Sequence, residues 1–390
     1  MSAPRILIAG GGTGGHLFPG IAVAEALRAR GVTDLLFVSA GRGNWREAIE
    51  RAGFAWRSLP VRGFGRRPGL AHLAFPFRLA ASLVVAGALL ASFRPGAVVG
   101  TGGYVSGPVV AMAWLFGVPV LLLEQNAIPG ATTRIAARFA REIHIAYEGS
   151  DARLPRRARA RARLSGNPIR ASVLGFDAAA ARDRLGLARD LPVIFFVGGS
   201  QGAAAINRAL FGALTETPVA EAPVAEAPSG WAQGLQIIVQ TGAKDATDWS
   251  AARGGVARLV AQPFFHEVGE AYAAADLVVC RAGATTLAEI TALGKAAILI
   301  PYPYATADHQ ARNADRMVRA GAAVTVPESE LSPARLAREA AEIVNDVGRR
   351  RAMAAASRSL GRPEAADQVA EAVLRLAQGR GDSWNTSARS

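Results

Sequence analysis

Cysteine is almost absent: Cys280 is the single thiol in 390 residues, which excludes a disulfide framework and fits a reducing compartment. Charged residues are few, 19% against 51% hydrophobic, and this excludes a largely disordered chain. Aromatic residues make up 7% and do not interleave with the basic ones, so a stacking surface for nucleic acid is not expected. No Asp-x-Asp pair occurs, and without that carboxylate clamp neither a metal nor another cofactor is expected. No basic, apolar and small-residue leader opens the chain; the first apolar run, residues 6–9, reads as a strand and predicts a cytosolic start. What is plentiful is arginine, and the net charge of +13 points to an anionic partner such as a phosphorylated ligand or an acidic membrane surface.

At this length one α/β core is too small and two domains are expected. A short apolar strand, a glycine-bearing turn and an amphipathic helix recur along the chain. In the first half strands read at 5–9, 35–39, 97–100 and 119–124, with helices near 19–29, 45–52 and 109–116. The pattern restarts beyond Ser165, with strands at 193–197, 235–240, 257–260, 277–280 and 297–301 and helices at 203–214 and 285–293. Such alternation predicts an α/β fold with parallel sheets. The expected organisation is a domain over 1–165, a second over 166–362, a helix at about 363–377 that docks back on the first, and a flexible tail at 378–390. Residues 218–227 repeat Pro-Val-Ala-Glu-Ala and read as a surface insertion without function.

Both halves carry glycine-rich turns between a strand and a helix, where the backbone can approach a ligand and helix N–H groups face an anion. Gly10-Gly-Gly-Thr-Gly-Gly-His16 contains G-x-G-x-x-G, yet the second strand ends Phe37-Val-Ser-Ala40 without the carboxylate that would hold a dinucleotide's ribose. His16 opens a helix, where its cationic form is disfavoured, and is either a neutral base or a capping group. Thr101-Gly-Gly-Tyr-Val-Ser-Gly107 is a second such turn. Glu124-Gln-Asn126 stands at a strand's carboxyl end, where it either meets a ligand or caps the next helix. In the second half Gly198-Gly-Ser-Gln-Gly202 and the 281–289 segment repeat the logic, with Glu289 either reaching paired ribose hydroxyls or lying on a solvated helix face. Asp308, Gln310 and Asn313 follow a strand and suit sugar hydroxyls.

Taken in order, Gly11-Gly-Thr-Gly-Gly-His16, Gly102-Gly-Tyr-Val-Ser-Gly107, Glu124-Gln-Asn126, Gly166-Asn-Pro-Ile-Arg170, Gly198-Gly-Ser-Gln-Gly202 and the 281–289 turn resemble the MurG family, the peptidoglycan N-acetylglucosaminyltransferases, over about residues 5–377. The resemblance implies a GT-B fold, two Rossmann-like domains whose parallel sheets face a central cleft. It implies inverting transfer of GlcNAc from UDP-GlcNAc to the 4-hydroxyl of MurNAc in undecaprenyl-diphospho-MurNAc-pentapeptide (lipid I), giving lipid II. By motif, Thr13, Gly14, Gly15, Tyr104 and Asn126 would bind the acceptor, with His16 as general base and Glu124 its rival. Thr13, Gly14, Asn126, Arg170, Ser200, Gln201, Phe265, Ala284, Thr285, Glu289 and Gln310 would bind the donor, Glu289 at the ribose and backbone near Phe265 at the uracil. Two departures stand out: Leu123 replaces a histidine before Glu-Gln-Asn, and His309 the first of paired glutamines.

The resemblance also implies a peripheral enzyme on the cytoplasmic face of the inner membrane, with other cell-wall synthesis proteins as neighbours. A lipid-linked acceptor requires a membrane-facing surface. Residues 70–93 are strongly apolar between Arg62, Arg66 and Arg67 on one side and Arg94 on the other, and Arg78 leaves an apolar run short of the ~20 residues that span a bilayer. The reading is an interfacial helix with Leu79 and Leu83 in lipid, Arg66 and Arg67 at anionic headgroups, and Trp114 and Phe116 beside it. A buried core helix is the alternative, and a helix with one face each way satisfies both. Three other functions stay open: a UDP-GlcNAc epimerase, which needs no lipid-facing surface; a glycolipid synthase, which needs no Glu-Gln-Asn segment; and a non-catalytic nucleotide-sugar sensor, which needs neither His16 nor Glu124.

Overall fold

A computed structural model of the chain describes residues 3–40, 45–61, 75–199, 202–215, 230–252 and 255–387. They divide into two compact units, Met1–Arg170 with Pro363–Ser390, and Ala171–Arg362.

In the first unit the chain runs β1 (Ile6–Gly10), α1 (Gly14–Ala29), β2 (Leu35–Ala40), α2 (Trp45–Arg51), β3 (Ala55–Leu59), α3 (Phe75–Phe93), β4 (Ala97–Gly102), α4 (Gly103–Leu115), β5 (Val120–Glu124), α5 (Ala131–Ala136), β6 (Glu142–Ile145), α6 (Arg156–Arg159) and β7 (Ala162–Leu164). All strands pair in parallel in the order β3-β2-β1-β4-β5-β6-β7. β1, β4 and β5 are buried along their whole length, as strands covered on both faces must be, and their near-continuous apolar runs made them legible. At the two edges β3 is mostly exposed and β7 half-buried, and neither carries such a run, so neither strand is marked in the sequence.

The second unit runs α7 (Ala171–Leu174), α8 (Ala178–Arg184), β8 (Val193–Val197), α9 (Ala204–Thr215), β9 (Gln236–Gln240), β10 (Arg258–Gln262), α10 (Val268–Ala274), β11 (Leu277–Cys280), α11 (Ala284–Leu293), β12 (Ala296–Leu299), α12 (His309–Arg319), β13 (Ala323–Thr325), α13 (Pro333–Asn345) and α14 (Val347–Leu360). Its parallel sheet is ordered β10-β9-β8-β11-β12-β13. Both sheets thus reverse direction beside their first strand, between β1 and β4 and between β8 and β11. At such a switch point adjacent loops diverge at the carboxyl ends of the strands and leave a crevice for a ligand.

Two expectations about the chain's organisation change. Residues 166–170 belong to the first unit, because the N–H groups of Ser165 and Gly166 both donate to the Ile145 carbonyl, tying the segment to β6. The last helix, α15 (Ala365–Ser387), runs well into the stretch expected to be a flexible tail from 378. Once its first turns are docked, each further residue adds a hydrogen bond without a new nucleation cost. It buries Val369, Ala370, Ala372, Val373 and Ala377 in a core shared with Leu17, Ile21 and Ala24 of α1. Each buried valine contributes about 1.5–3 kcal/mol relative to exposure. Arg30, the C-cap residue of α1, adds ion pairs to Asp367 at 2.6 Å and Glu371 at 3.5 Å.

Helix α3 is the β3–β4 crossover. Its 19 residues, Arg78 among them, are long and apolar enough to cross a membrane by length and composition alone. It does not stand alone, however: Ser82, Ala86, Gly87 and Leu90 are buried, and a Cβ on Gly87 would lie 3.1 Å from Met112 and 3.8 Å from Phe116 of the α4 region. One face therefore packs on the layer covering the sheet, and the opposite face carries Phe77, 79% exposed, and Val84, 72% exposed. Leu79 and Leu83 are half-buried on the flank rather than at the crest. Trp114, Leu115 and Phe116 are also exposed, Trp114 resting against the Phe139 ring at 5.1 Å. Arg66 and Arg67 lie outside the described residues. Arg161 donates to the carbonyls of Ala137 and Ala140, just beyond the end of α5, which gives it a structural task.

Candidate functional site

In the first unit three loops meet at the switch point. Gly102 and Gly103 have φ of 98° and 75°; a Cβ on Gly103 would stand 2.4 Å from the Gly11 carbonyl oxygen, and one on Gly102 would stand 2.7 Å from His16 Nδ1. Only glycine lets the β1–α1 and β4–α4 turns interlock in this way. His16, in the first turn of α1, therefore lies against the Gly102–Gly103 backbone, with Nδ1 3.2 Å from Gln125 Oε1. Gln125 is buried, and its Nε2 donates to the Thr101 carbonyl at 2.9 Å.

Glu124 is committed elsewhere. Its Oε1 accepts from the Asn126 N–H at 2.9 Å and from Asn126 Nδ2 at 3.4 Å, while Oε2 accepts from the Gly130 N–H at 3.0 Å. Both oxygens thus build the 126–130 loop, and the carboxylate places Asn126 rather than facing His16. Thr13 is the exposed N-cap residue of α1, Gly14 and Gly15 are half-buried in its first turn, and Tyr104 is 48% exposed in the first turn of α4. Neither helix has an acidic first turn or a side-chain cap, which leaves these N-termini suited to an anionic ligand.

Arg170 sits with the first unit, its guanidinium 4.8 Å over the Phe18 ring of α1. The expectation that it belongs to the donor domain is thereby corrected, and the cause is this stacking together with the β6 anchoring just described. Leu123, one of the two departures, is buried in the core shared by α1 and α15, so at this position the chain has a packing residue.

In the second unit Glu289 lies in the second turn of α11 and is only 7% exposed, not on a solvated helix face. Its carboxylate lies beside the phenol of Tyr272, itself buried; burial and then the Glu289 charge push that phenol's ionisation well above its ordinary range. Tyr272 packs edge-on against Phe195 at 5.3 Å, and Phe195 edge-on against Phe265 at 6.0 Å. Ala284 is buried and Thr285 half-buried where α11 opens after Gly283, again without a side-chain cap. Gln240, at the end of β9, links two loops: its Nε2 donates to the Gly199 carbonyl at 3.1 Å and its Oε1 accepts the Phe265 N–H at 3.1 Å.

Gln310, in the first turn of α12, accepts the Tyr302 N–H at 2.9 Å, and Asn313 donates to the Ala282 carbonyl at 3.4 Å. His309, the second departure, has Nδ1 2.8 Å from the Thr306 carbonyl and so braces the preceding loop. That loop holds Ala307 and Asp308 at φ 53°, a left-handed conformation that costs non-glycine residues roughly 1–3 kcal/mol each and concentrates at ligand sites. Ser200 and Gln201 lie outside the described residues. Among the described residues no group of three His, Cys, Asp or Glu side chains is placed to hold a metal ion. Gln125, Gln240 and Tyr272 escaped the sequence reading. Gln125 lies within the Glu124-Gln-Asn126 motif without a local signal that pairs it with His16, and the other two are a strand end and an apolar helix position with no motif around them.

Residues 6–145 match the glycosyltransferase family 28 N-terminal domain and residues 193–369 the family 28 C-terminal domain. The UDP-N-acetylglucosamine–N-acetylmuramyl-(pentapeptide) pyrophosphoryl-undecaprenol N-acetylglucosamine transferase of Desulforudis audaxviator is 39% identical over 377 residues, covering 96% of this chain and 98% of the relative. The Salinibacter ruber protein of the same name is 40% identical over 376 residues, covering 96% and 97%. Among solved structures, Acinetobacter baumannii MurG superposes with a TM-score of 0.70 at 27% identity, covering 95% of this chain and 99% of that one. A UDP-GlcNAc 2-epimerase from Neisseria meningitidis, with a TM-score of 0.62 at 12% identity over 96% of this chain and all of its own, shares the fold alone. With both family 28 domains present and relatives at about 40% identity along nearly its full length, this chain belongs to glycosyltransferase family 28, among the MurG enzymes of GT-B fold.

Proposed function

We propose that the chain moves GlcNAc from UDP-GlcNAc to the 4-hydroxyl of the MurNAc of lipid I, forming lipid II. The observation that carries the assignment to a reaction is the convergence of three N-terminal motif loops on His16, in a chain that aligns end to end with pyrophosphoryl-undecaprenol-directed GlcNAc transferases. In this reading His16 takes the proton from the acceptor hydroxyl as its oxygen attacks the anomeric carbon of GlcNAc. The bond to UDP breaks, UDP leaves with the electron pair, and one displacement converts the α linkage of the donor to β. Thr13, Gly14, Gly15, Tyr104 and Asn126 line the acceptor side, where the open N-termini of α1 and α4 suit a lipid diphosphate.

The donor is held by the second unit. Glu289 accepts the ribose hydroxyls, the first turn of α11 with Ala284 and Thr285 faces the diphosphate, and Gln310 contacts the sugar through its amide nitrogen, its oxygen being engaged by Tyr302. The Phe265 N–H is taken by Gln240, which leaves the carbonyl side of that turn for a pyrimidine edge. The N-terminus of α11 stabilises the leaving UDP without a metal. The apolar crest of α3, with Trp114 and Phe116, rests on an anionic phospholipid surface and gives access to the lipid-linked acceptor.

The test is incubation with labelled UDP-GlcNAc, with and without a short-chain lipid I analogue. Acceptor-dependent release of UDP with a β-linked disaccharide product supports the reading, and UDP release indifferent to the acceptor overturns it. A His16→Ala variant that keeps near-full turnover removes His16 from the role of base.

A further inference from the structure

The contact between His16 and Gln125 has a chemical consequence that follows from the second bond of the same carboxamide. Gln125 is 2% exposed and its amide group is clamped between two partners, the Thr101 carbonyl at 2.9 Å and His16 Nδ1 at 3.2 Å. A carbonyl oxygen only accepts, so the nitrogen of the carboxamide must face Thr101; turning the amide over would set two oxygens against each other in a buried site. Its oxygen then faces His16 Nδ1, and an oxygen that only accepts requires a proton on that nitrogen. In neutral imidazole one ring nitrogen carries the proton and the other the lone pair. The Gly102–Gly103 backbone, pressed against the ring, holds it in this plane. Rotating the ring by half a turn would put a C–H against the Gln125 oxygen and forfeit the bond.

We propose that Gln125 is a positioning residue for transfer: it keeps His16 in the Nδ1–H tautomer, so that Nε2 is the nitrogen that receives the acceptor's proton. This rests on the reading of His16 as base. In the step itself the 4-hydroxyl proton passes to Nε2, the oxygen's electron pair forms the new bond to the anomeric carbon, and UDP departs with the pair from the broken bond. The imidazolium so formed keeps its Nδ1–H on the Gln125 oxygen, which stabilises the developing positive charge. The arrangement has the logic of an oriented base, with a neutral carboxamide in the place more often taken by a carboxylate. A backbone carbonyl, Thr101, sets the orientation of the orienting group, so the β4–α4 turn contributes to the tautomer as well as to the shape of the site.

Two measurements on the full chain decide it. Imidazole nitrogen NMR of the wild-type protein, with the His16 signals identified by their loss in His16→Gln, is expected to show a protonated Nδ1 and an unprotonated Nε2; the opposite tautomer overturns the proposal without any variant at Gln125. Gln125→Met removes the acceptor while filling the space. It is expected to lower kcat about 10- to 1000-fold, to leave KM for UDP-GlcNAc and for a lipid I analogue within about threefold, and to shift the His16 nitrogen signals toward a mixture of tautomers. A Gln125→Met protein that keeps wild-type kcat, or loses kcat with the His16 signals unmoved, overturns it. Failure of the underlying reading looks different: His16→Gln would then keep turnover, whichever tautomer the wild type shows.

Discussion

The phenol of Tyr272 on α10 and the carboxylate of Glu289 on α11 lie beside each other inside the second unit, Tyr272 1% and Glu289 7% exposed. Thr286 stands near the same phenol and lowers its ionisation, against the effect of burial and of Glu289. Because Tyr272 also packs on Phe195, which packs on Phe265, the proposed ribose contact and the proposed uracil turn share one aromatic support. Tyr272→Phe removes a polar neighbour of the buried carboxylate and is expected to cost about 0.5–1.5 kcal/mol of stability. It should raise KM for UDP-GlcNAc severalfold while kcat changes little. Glu289→Gln should raise KM further and abolish discrimination against the 2′-deoxyribose donor, which steady-state assays with both donors would read.

The interlocked turns of the first unit make a steric prediction. Gly103→Ala sets a methyl group 2.4 Å from the Gly11 oxygen at φ 75°, whereas Gly12→Ala, at φ 90°, meets nothing within 4 Å. The second change should cost only the conformational strain of about 1–2 kcal/mol. The first should cost more and displace the β1–α1 turn as well, so urea denaturation should show a larger loss for Gly103→Ala than for Gly12→Ala.

Lys295 supplies a pH dependence. Its ammonium donates to the Ala273 and Ala275 carbonyls at the end of α10, at 3.1 and 2.8 Å. Burial pulls it down to about 8; Asp276 opposes that shift, and the Arg182 and Arg358 charges add to it. An unfolded lysine titrates near 10.4, so between about pH 8 and 10.4 the unfolded chain binds more protons than the folded one. The sign follows: this group's contribution to stability is constant below about pH 8 and rises with pH through that window. The difference in urea midpoint between wild type and Lys295→Met, followed from pH 7 to 10.5, should grow in favour of wild type above pH 8. A flat difference would refute the assignment.

The crest of α3 should govern attachment to lipid and not chemistry. Replacing Phe77 and Val84 by Asp places charge on residues that are 79% and 72% exposed. Co-sedimentation with vesicles containing anionic phospholipid should fall by an order of magnitude or more, on the basis of about 1.5–3 kcal/mol of burial per large apolar side chain. Turnover on a water-soluble short-chain acceptor should stay within about twofold.

Much of this molecule was legible in the chain. Apolar strands such as Val193–Val197, glycine turns and helix starts are set by local periodicity and by backbone conformations that few residues tolerate, and these signals need no knowledge of the partner strand. Edge strands β3 and β7 escaped because half-exposed strands lack the apolar run that marks buried ones.

The motif order, read from the amino acids alone, already separated a glycosyltransferase from a dinucleotide enzyme, since the missing acid after Phe37-Val38-Ser39 is a local fact. What only the tertiary structure decided is which residues meet. Gly11 and Gly103 are far apart in sequence and touch because the sheet order places β4 beside β1. Of the consecutive Leu123, Glu124 and Gln125, one packs in the core, one anchors a loop and one meets His16. That assignment depends on which way each side chain leaves the strand end and on what the neighbouring strand presents, and neither is written in the local pattern of residues.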